Sequence, residues 1–355
     1  MPQVAEKSIC ICSRGWLRGA LDRSLCRHRG AGRGGKARLK CLVTGCAGFI
    51  GSHLSEALVA QGNSVTGVDC FTDYYPRKVK MANLSALRKA KKFNLVEADL
   101  SSAKLSPLLR EVDYVFHLAA QPGVRASWGT SFSKYVKDNI LATQRLLEAV
   151  RWETGIEKLV YASSSSIYGD AEAFPTPESA TPRPVSPYGA TKLAGENLCH
   201  VYFRNYSLPV VALRYFTVFG PRQRPDMAFS VFVSKITRGE EITVYGDGEQ
   251  RRDFTFVSDT VAATLLSSQA KPGTVYNVGA GSSTTLNHVI SIIESIVGKK
   301  AKVKRAQYSL GDVRDTSADI TRMRNDLGYQ PTTSLADGLK KQLAAQLSRA
   351  RDINS

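Results

Sequence analysis

The stretch VTGCAGFIGSH, Val43 to His53, constrains this chain more than any other. It sets Gly45, Gly48 and Gly51 between an apolar strand-like run and the start of a helical period. Glycines at this spacing let the backbone turn tightly and approach a pyrophosphate, and the free N–H groups at the start of the next helix favour an anion. The pattern predicts a dinucleotide-binding β-α-β unit. A second marker supports it. The next strand-like run, SVTGVDC, ends in Asp69, where a carboxylate accepts hydrogen bonds from both ribose hydroxyls and repels a 2′-phosphate. NAD is therefore expected rather than NADP. Asp99, which ends the third run in VEADL, is expected at the adenine edge.

From Arg38 onward, short β-rich runs alternate with longer helical periods. KCLVTG, SVTGVDC, FNLVEADL, DYVFHLAA, KLVYASS and PVVALRYF are separated by stretches such as FIGSHLSEALVAQG, VKDNILATQRLLEAVRWETG and YGATKLAGENLCHVYFRNY. This alternation implies an α/β fold, a Rossmann-type doubly wound parallel sheet with right-handed crossovers. After about Pro221 the elements become shorter and mixed, which predicts a smaller mixed α/β C-terminal lobe for substrate. The expected division is a basic N-terminal extension over 1–37, an NAD-binding domain over 38–220 and a mainly substrate-binding lobe over 221–350.

A formal net charge of +17 raises nucleic acid or acidic membrane as partners, so its distribution matters. Met1 to Lys40 carry ten Lys or Arg against two acidic residues, which leaves the remainder only modestly basic. The segment contains GAGRGG and no sustained hydrophobic period, and it reads as disordered. A targeting peptide, a basic arm for polyanions and an extension without a role in the fold all fit it. No run approaches the roughly 18 apolar residues that span a bilayer. The seven cysteines form no C-x-x-C pair and suit a reducing compartment, so a cytoplasmic location is expected, with neither membrane nor nucleic acid as partner. The five histidines are equally scattered, and no metal site is expected.

SPYGATKLAGE sets Tyr188 and Lys192 four residues apart on a helical period, so both side chains share one face. A lysine ammonium beside a tyrosine lowers the phenol pKa towards that of a base working near neutral pH. Tyr-x-x-x-Lys alone is common on helix surfaces. What singles this one out is YASSSSIYGD, a run of four serines at the C-terminal end of a strand in the same sheet.

With these residues the chain resembles the extended short-chain dehydrogenase/reductase family, and within it the NAD-dependent nucleotide-sugar epimerases and dehydratases. The resemblance runs from Arg38 to about Leu347, on TGCAGFIGSHL, VDCF, FHLAAQ, SSSSIYG, YGATK, LRYFTVFGP, RRDFTFVSD and GDVRDTSAD. It implies a catalytic triad of Ser164, Tyr188 and Lys192. Tyr188 takes the sugar hydroxyl proton, Ser164 hydrogen-bonds the same oxygen, and Lys192 holds the nicotinamide ribose. It further implies NAD contacts from Gly45, Gly48, Phe49, Ile50, Gly51, Asp69, Asp99, Leu100, Leu118, Ala119, Ala120 and Gln121, besides Tyr188 and Lys192. Asn139 matches a position that braces the sheet and active site, or else packs a helix. A homodimer through the two long helices beginning near Tyr135 and Tyr188 is also implied.

The family divides by the residues just after the catalytic hydroxyl. Dehydratases place Asp and Glu there, and decarboxylases place Glu just before the aromatic-Gly pair, whereas this chain has Ser165 and Ser166. Thr217 stands where UDP-galactose epimerases and decarboxylases usually carry Asn. That Thr, the GPRQRPDM just beyond it, Arg125 in AAQPGVRASW, and FTDYY are similar to the UDP-glucuronate 4-epimerases. A uronate carboxylate needs several donors, which Ser164, Ser165, Ser166 and Thr217 can supply, with Arg224 as countercharge. Arg252 and Arg314 match family arginines that clamp the diphosphate of UDP. The expected reaction is NAD-dependent epimerisation at C4 of UDP-glucuronate to UDP-galacturonate through a transient 4-keto sugar. The alternatives are a UDP-glucose 4-epimerase, a UDP-glucuronate decarboxylase, and a non-catalytic NAD-binding regulator, a class that typically loses the Tyr/Lys pair.

Overall fold

The computed structural model describes residues 38–308 and 310–354. The basic extension expected over 1–37 lies outside the described residues. Strands β1 (Lys40–Thr44), β2 (Ser64–Asp69), β3 (Phe93–Glu97), β4 (Tyr114–His117), β5 (Lys158–Ser164) and β6 (Val210–Tyr215) build most of one sheet. Helices α1 (Phe49–Ala60), α2 (Arg77–Asn83) and α3 (Ser106–Leu109) come after the first three strands in turn. After β4 come α4 (Phe132–Tyr135), a π-helical stretch over Val136–Leu141 and α5 (Ala142–Val150); α6 (Pro187–Tyr206) comes after β5.

The later chain supplies β7 (Thr217–Phe219), α7 (Ala228–Arg238), β8 (Glu241–Tyr245), β9 (Arg251–Arg252), β10 (Phe254–Phe256) and α8 (Val257–Leu266). Next are β11 (Val275–Val278), β12 (Thr284–Thr285), α9 (Leu286–Val297), β13 (Lys302–Ala306), α10 (Thr321–Leu327) and α11 (Leu335–Asn354). Three two-stranded sheets pair β7 with β10, β8 with β13 and β9 with β12.

The seven-stranded sheet has the order β11-β6-β5-β4-β1-β2-β3, and every pairing in it is parallel. Strand order reverses between β1 and β4, and in open α/β sheets ligands bind beyond the carboxyl ends of the strands at such a point. Parallel strands covered on both faces are apolar on both faces. The core obeys that rule: Cys41 and Val43 of β1, with Val160 and Ala162 of β5, pack on one side, while Leu42, Leu159 and Tyr161 pack on the other. All seven residues of β5 are buried, Ser163 and Ser164 among them.

Two features depart from the local reading. The chain beyond 220 does not stay in an outer lobe, because β11 pairs with β6 to complete the sheet and α8 packs on α1. The long helical period expected from Val136 opens as a π-helix, a form concentrated at functional sites. There the buried Asn139 amide donates to Gln121 O (3.1 Å) and Thr191 Oγ1 (2.9 Å), and Asn139 Oδ1 accepts from Gln121 N–H (2.7 Å). One side chain thus ties the end of β4 to α6.

Candidate active site

At the switch point the chain leaves β1 through Gly45, at φ +72°, where a Cβ would lie 2.8 Å from Ala119 N. At Gly51 a Cβ would come within 2.1 Å of Gly45 O. Neither position admits a side chain, so the turn stays bare at the start of α1, whose N-cap, Gly48, makes no side-chain capping bond. Backbone donors at a helix N-terminus facing an open cavity are what a pyrophosphate needs, and the residues here fit a dinucleotide.

Asp69, at the end of β2, accepts from Ala47 N–H (3.0 Å) and Phe71 N–H (2.8 Å), which fixes its carboxylate on the cavity wall. Burial pushes its pKa up, opposed by the Phe71 N–H, Lys80 and the Ala47 N–H. Asp99 also reaches the wall, with Lys137 Nζ on its Oδ2 (2.6 Å) and the Ser101 N–H and hydroxyl on Oδ1. Every residue expected to contact the cofactor lines this inner cavity except Gln121, which is buried with its backbone turned to Asn139.

The wall also includes Tyr74 of FTDYY and two residues that the sequence motifs did not single out, Lys80 and Asp138. Lys80 reaches back to the Thr72 carbonyl (2.8 Å) and hydroxyl (3.1 Å), pinning the loop after Asp69. No motif marks it, because its target lies eight residues earlier on an irregular segment.

Ser186 caps α6 by accepting from Gly189 N–H (3.1 Å), with Pro187 in the first turn. The first two turns carry Tyr188 and Lys192 to the inner cavity. Burial pushes the Tyr188 pKa up; the Ser164 hydroxyl, hydrogen-bonded to its phenol, and the charge of Arg224 pull it down. Arg224, which the motif around Tyr188 and Lys192 does not include, is thus a cation acting on the phenol.

The Lys192 ammonium sits 4.4 Å from the Tyr161 ring centroid, and burial lowers its pKa to about 8. Nearby lies His117, between Thr44 Oγ1 (2.8 Å) and Thr143 Oγ1 (3.0 Å). Burial and the Lys192 charge push its pKa down to about 3, so it is neutral.

The four serines divide. Ser163 donates to Glu196 Oε2 (2.6 Å), and Glu196 pairs with Arg214 (2.7 Å), with side chains only 8% and 7% exposed. Arg214 donates to Tyr168 Oη (2.8 Å), which donates to Asn277 Oδ1 on β11 (2.7 Å). Ser164 Oγ accepts from Ser166 N–H (3.1 Å) and caps the short 3-10 turn Ser165–Ile167. Ser165 and Ser166 are half-buried in that turn and line neither this cavity nor its neighbour, and the same holds for Thr217 on β7.

That neighbour is an outer cavity, and Tyr74 and Arg224 line both. Arg224 is forked on Asp226, with Nε to Oδ1 and Nη2 to Oδ2 both 3.0 Å, and the Tyr74 hydroxyl donates to the same carboxylate (3.2 Å). Arg125 stacks 4.0 Å over the Tyr245 ring and pairs with Asp312 (2.6 Å) across the outer cavity. Arg252 donates to the carbonyls of Val313 and Arg314. Arg314 is exposed and held by the Tyr308 hydroxyl (3.1 Å) and Asp247 (3.4 Å). Neither guanidinium lines either cavity. Among the described residues no His, Cys, Asp and Glu cluster could hold a metal ion, and no helix is long and apolar enough to cross a membrane.

Sheet order, glycine turn and the Tyr–Lys helix converge on one group of proteins. The chain belongs to the NAD dependent epimerase/dehydratase family, which matches residues 41–279. Within that family it is 45% identical over 310 residues to an uncharacterised UDP-glucose epimerase of Bacillus subtilis, covering 86% of this chain and 97% of the relative. It is 38% identical over 304 residues to a UDP-glucuronate 4-epimerase of Thermodesulfobacterium geofontis, covering 84% and 94%. The crystal structure of a UDP-glucuronic acid 4-epimerase from Bacillus cereus with UDP-glucuronic acid and NAD matches with a TM-score of 0.85 at 42% identity, over 88% of this chain and 100% of that one.

Proposed function

We propose that this chain is an NAD-dependent UDP-sugar 4-epimerase that converts UDP-glucuronate to UDP-galacturonate. The observation that carries the substrate assignment is the place of Arg224, on the boundary of the two cavities and within electrostatic reach of Tyr188. A cation there suits a carboxylate at C5, next to the reacting C4, and gains only a weaker, uncharged partner in a neutral CH2OH. The similarity to two UDP-glucuronate 4-epimerases supports the same reading.

The bare turn and Asp69 would hold NAD, which would supply the hydride acceptor and donor for C4. Tyr188 removes the proton of the C4 hydroxyl and gives it back, and Ser164 hydrogen-bonds the same oxygen. Lys192, whose ammonium rests on an aromatic ring rather than an acid, keeps its donors for the nicotinamide ribose. No carboxylic acid stands directly after Ser164 to drive elimination. The 4-keto uronate is a β-keto acid, which loses CO2 when its carboxylate aligns with the ketone π system. Holding that carboxylate out of line is the role given to Ser165, Ser166 and Thr217, with Arg125, Arg252 and Arg314 left for UDP.

A homodimer suits the exposed Phe132, Val136 and Leu141 on one long helical segment and Val201 and Tyr206 on α6, apolar side chains that a partner copy would cover. A cytoplasmic enzyme drawing on soluble nucleotide sugars is the matching location.

The name of the Bacillus subtilis relative favours UDP-glucose as a second reading. Incubating the purified protein without added NAD, separately with UDP-glucuronate and UDP-glucose, decides between them. UDP-galacturonate is expected from the first; turnover of UDP-glucose alone overturns the assignment, and a UDP-pentose as main product makes the protein a decarboxylase.

A further inference from the structure

An arginine assigned to a substrate carboxylate meets a carboxylate of its own. Arg224 and Asp226 stand two residues apart in a turn closed by Met227 N–H on Arg224 O (3.1 Å), so the ion pair is built into the local backbone. Both nitrogens of one guanidinium edge are engaged, at 3.0 Å each, and the Tyr74 hydroxyl holds Asp226 in place from the cofactor side. The Arg224 side chain is 18% exposed and that of Asp226 40%, so the cation lies inside and its acid lies at the rim. The Tyr74 ring centroid, 5.6 Å from the guanidinium carbon, covers another approach.

We propose that Asp226 is a specificity- and turnover-determining residue: it occupies the fork of Arg224 so that a uronate carboxylate meets a shared cation instead of a free one. The inference rests on the uronate reading above. A free guanidinium binds a carboxylate bidentately, with fixed geometry and high strength. Binding of that kind, equal in ground and transition states, lowers KM without raising kcat. Epimerisation adds a stricter demand. The sugar must present both faces of C4 in one catalytic cycle, so its carboxylate has to leave one pose and take another. A clamp on the first pose would stall the second. Asp226 keeps the electrostatic preference for an acid sugar while leaving the carboxylate able to move.

The test is Asp226→Asn, nearly isosteric and at the rim, with Asp226→Ala as a second variant. Steady-state kinetics with UDP-glucuronate, and calorimetric Kd values for UDP-glucose and UDP, separate the outcomes. In Asp226→Asn the KM for UDP-glucuronate is expected to fall about tenfold, with kcat falling too, the size expected for one charge–charge interaction of this kind. Affinity for UDP-glucose and UDP should stay within about twofold, since neither brings a carboxylate. If the wild-type protein turns over UDP-glucuronate while both variants leave its KM unchanged or raise it, the role of Asp226 is overturned and the function stands. If the wild-type protein turns over UDP-glucose and not UDP-glucuronate, both fall together.

Discussion

The inner cavity takes its walls from the carboxyl ends of β1, β2, β5 and β6, the segments after β3 and β4, and residues of α1, α2, α5 and α6, and its polar groups are fixed from behind by buried bonds. Asp69 is held by backbone N–H groups, and Ser163 by an ion pair almost out of solvent. The outer cavity is lined largely by loops, and its charges face one another across them: Arg125 with Asp312, Arg224 with Asp226. On one side the fold holds the groups; on the other the groups hold the fold. A cofactor retained through each cycle suits the first arrangement, and a sugar that must turn over and leave suits the second.

Four measurements press on that contrast. The largest effect is expected from Tyr188→Phe, which should lower kcat by about 10²–10⁴-fold while NAD stays with the purified protein, because the inner frame does not depend on one phenol oxygen. Loss of NAD in that variant would break the contrast. Next come the two ion pairs. Glu196→Gln leaves Arg214 buried without its acid and should cost about 3–5 kcal/mol in urea denaturation. Asp312→Asn on the outer side should cost under about 1 kcal/mol, and equal losses would erase the distinction.

The third concerns acid. His117 has a folded pKa of about 3 against an ordinary 6.5, so between those values the unfolded chain binds more protons and stability falls as pH drops. At its steepest this one group contributes about 1.4 kcal/mol per pH unit. His117→Gln should flatten the fall of stability between about pH 6 and 4.5, and a slope identical to wild type would show that His117 is not a neutral support beside Lys192. The smallest effect is expected from Ser165→Ala or Thr217→Val, a rise in UDP-pentose by-product seen in the product ratio; an unchanged ratio would remove these hydroxyls from control of the carboxylate.

The inner site was largely legible because its parts are local. Gly45, Gly48 and Gly51 answer to a single turn, Asp69 to the end of the next strand, and Tyr188 and Lys192 to helical spacing. KLVYASS is β5 residue for residue. What the sequence concealed depends on distant partners. Nothing in VYNV tells which sheet it joins, since an apolar strand of four residues suits any edge. Arg252 has the chemistry of a phosphate ligand, yet the carbonyls it meets lie 61 and 62 residues on. Tyr188 also feels the charge of Arg224, 36 residues on in another segment, a partner that helical spacing does not mark. Asp226 stands two residues after Arg224 in RPD, but their pairing and its place on the cavity boundary come from the structure.

The return of β11 to the sheet bears on how such a chain can be made and rearranged. Until Val275–Val278 are synthesised, β6 is an open edge, although β7 to β10 and α8 come earlier in the chain. An open parallel edge is a place where a nascent chain can pair with the wrong partner. The nucleotide-binding half therefore is not a detachable module. A gene fragment ending near 220 would encode a sheet lacking its last strand, and recombination that swaps substrate lobes has to carry this strand across with the rest.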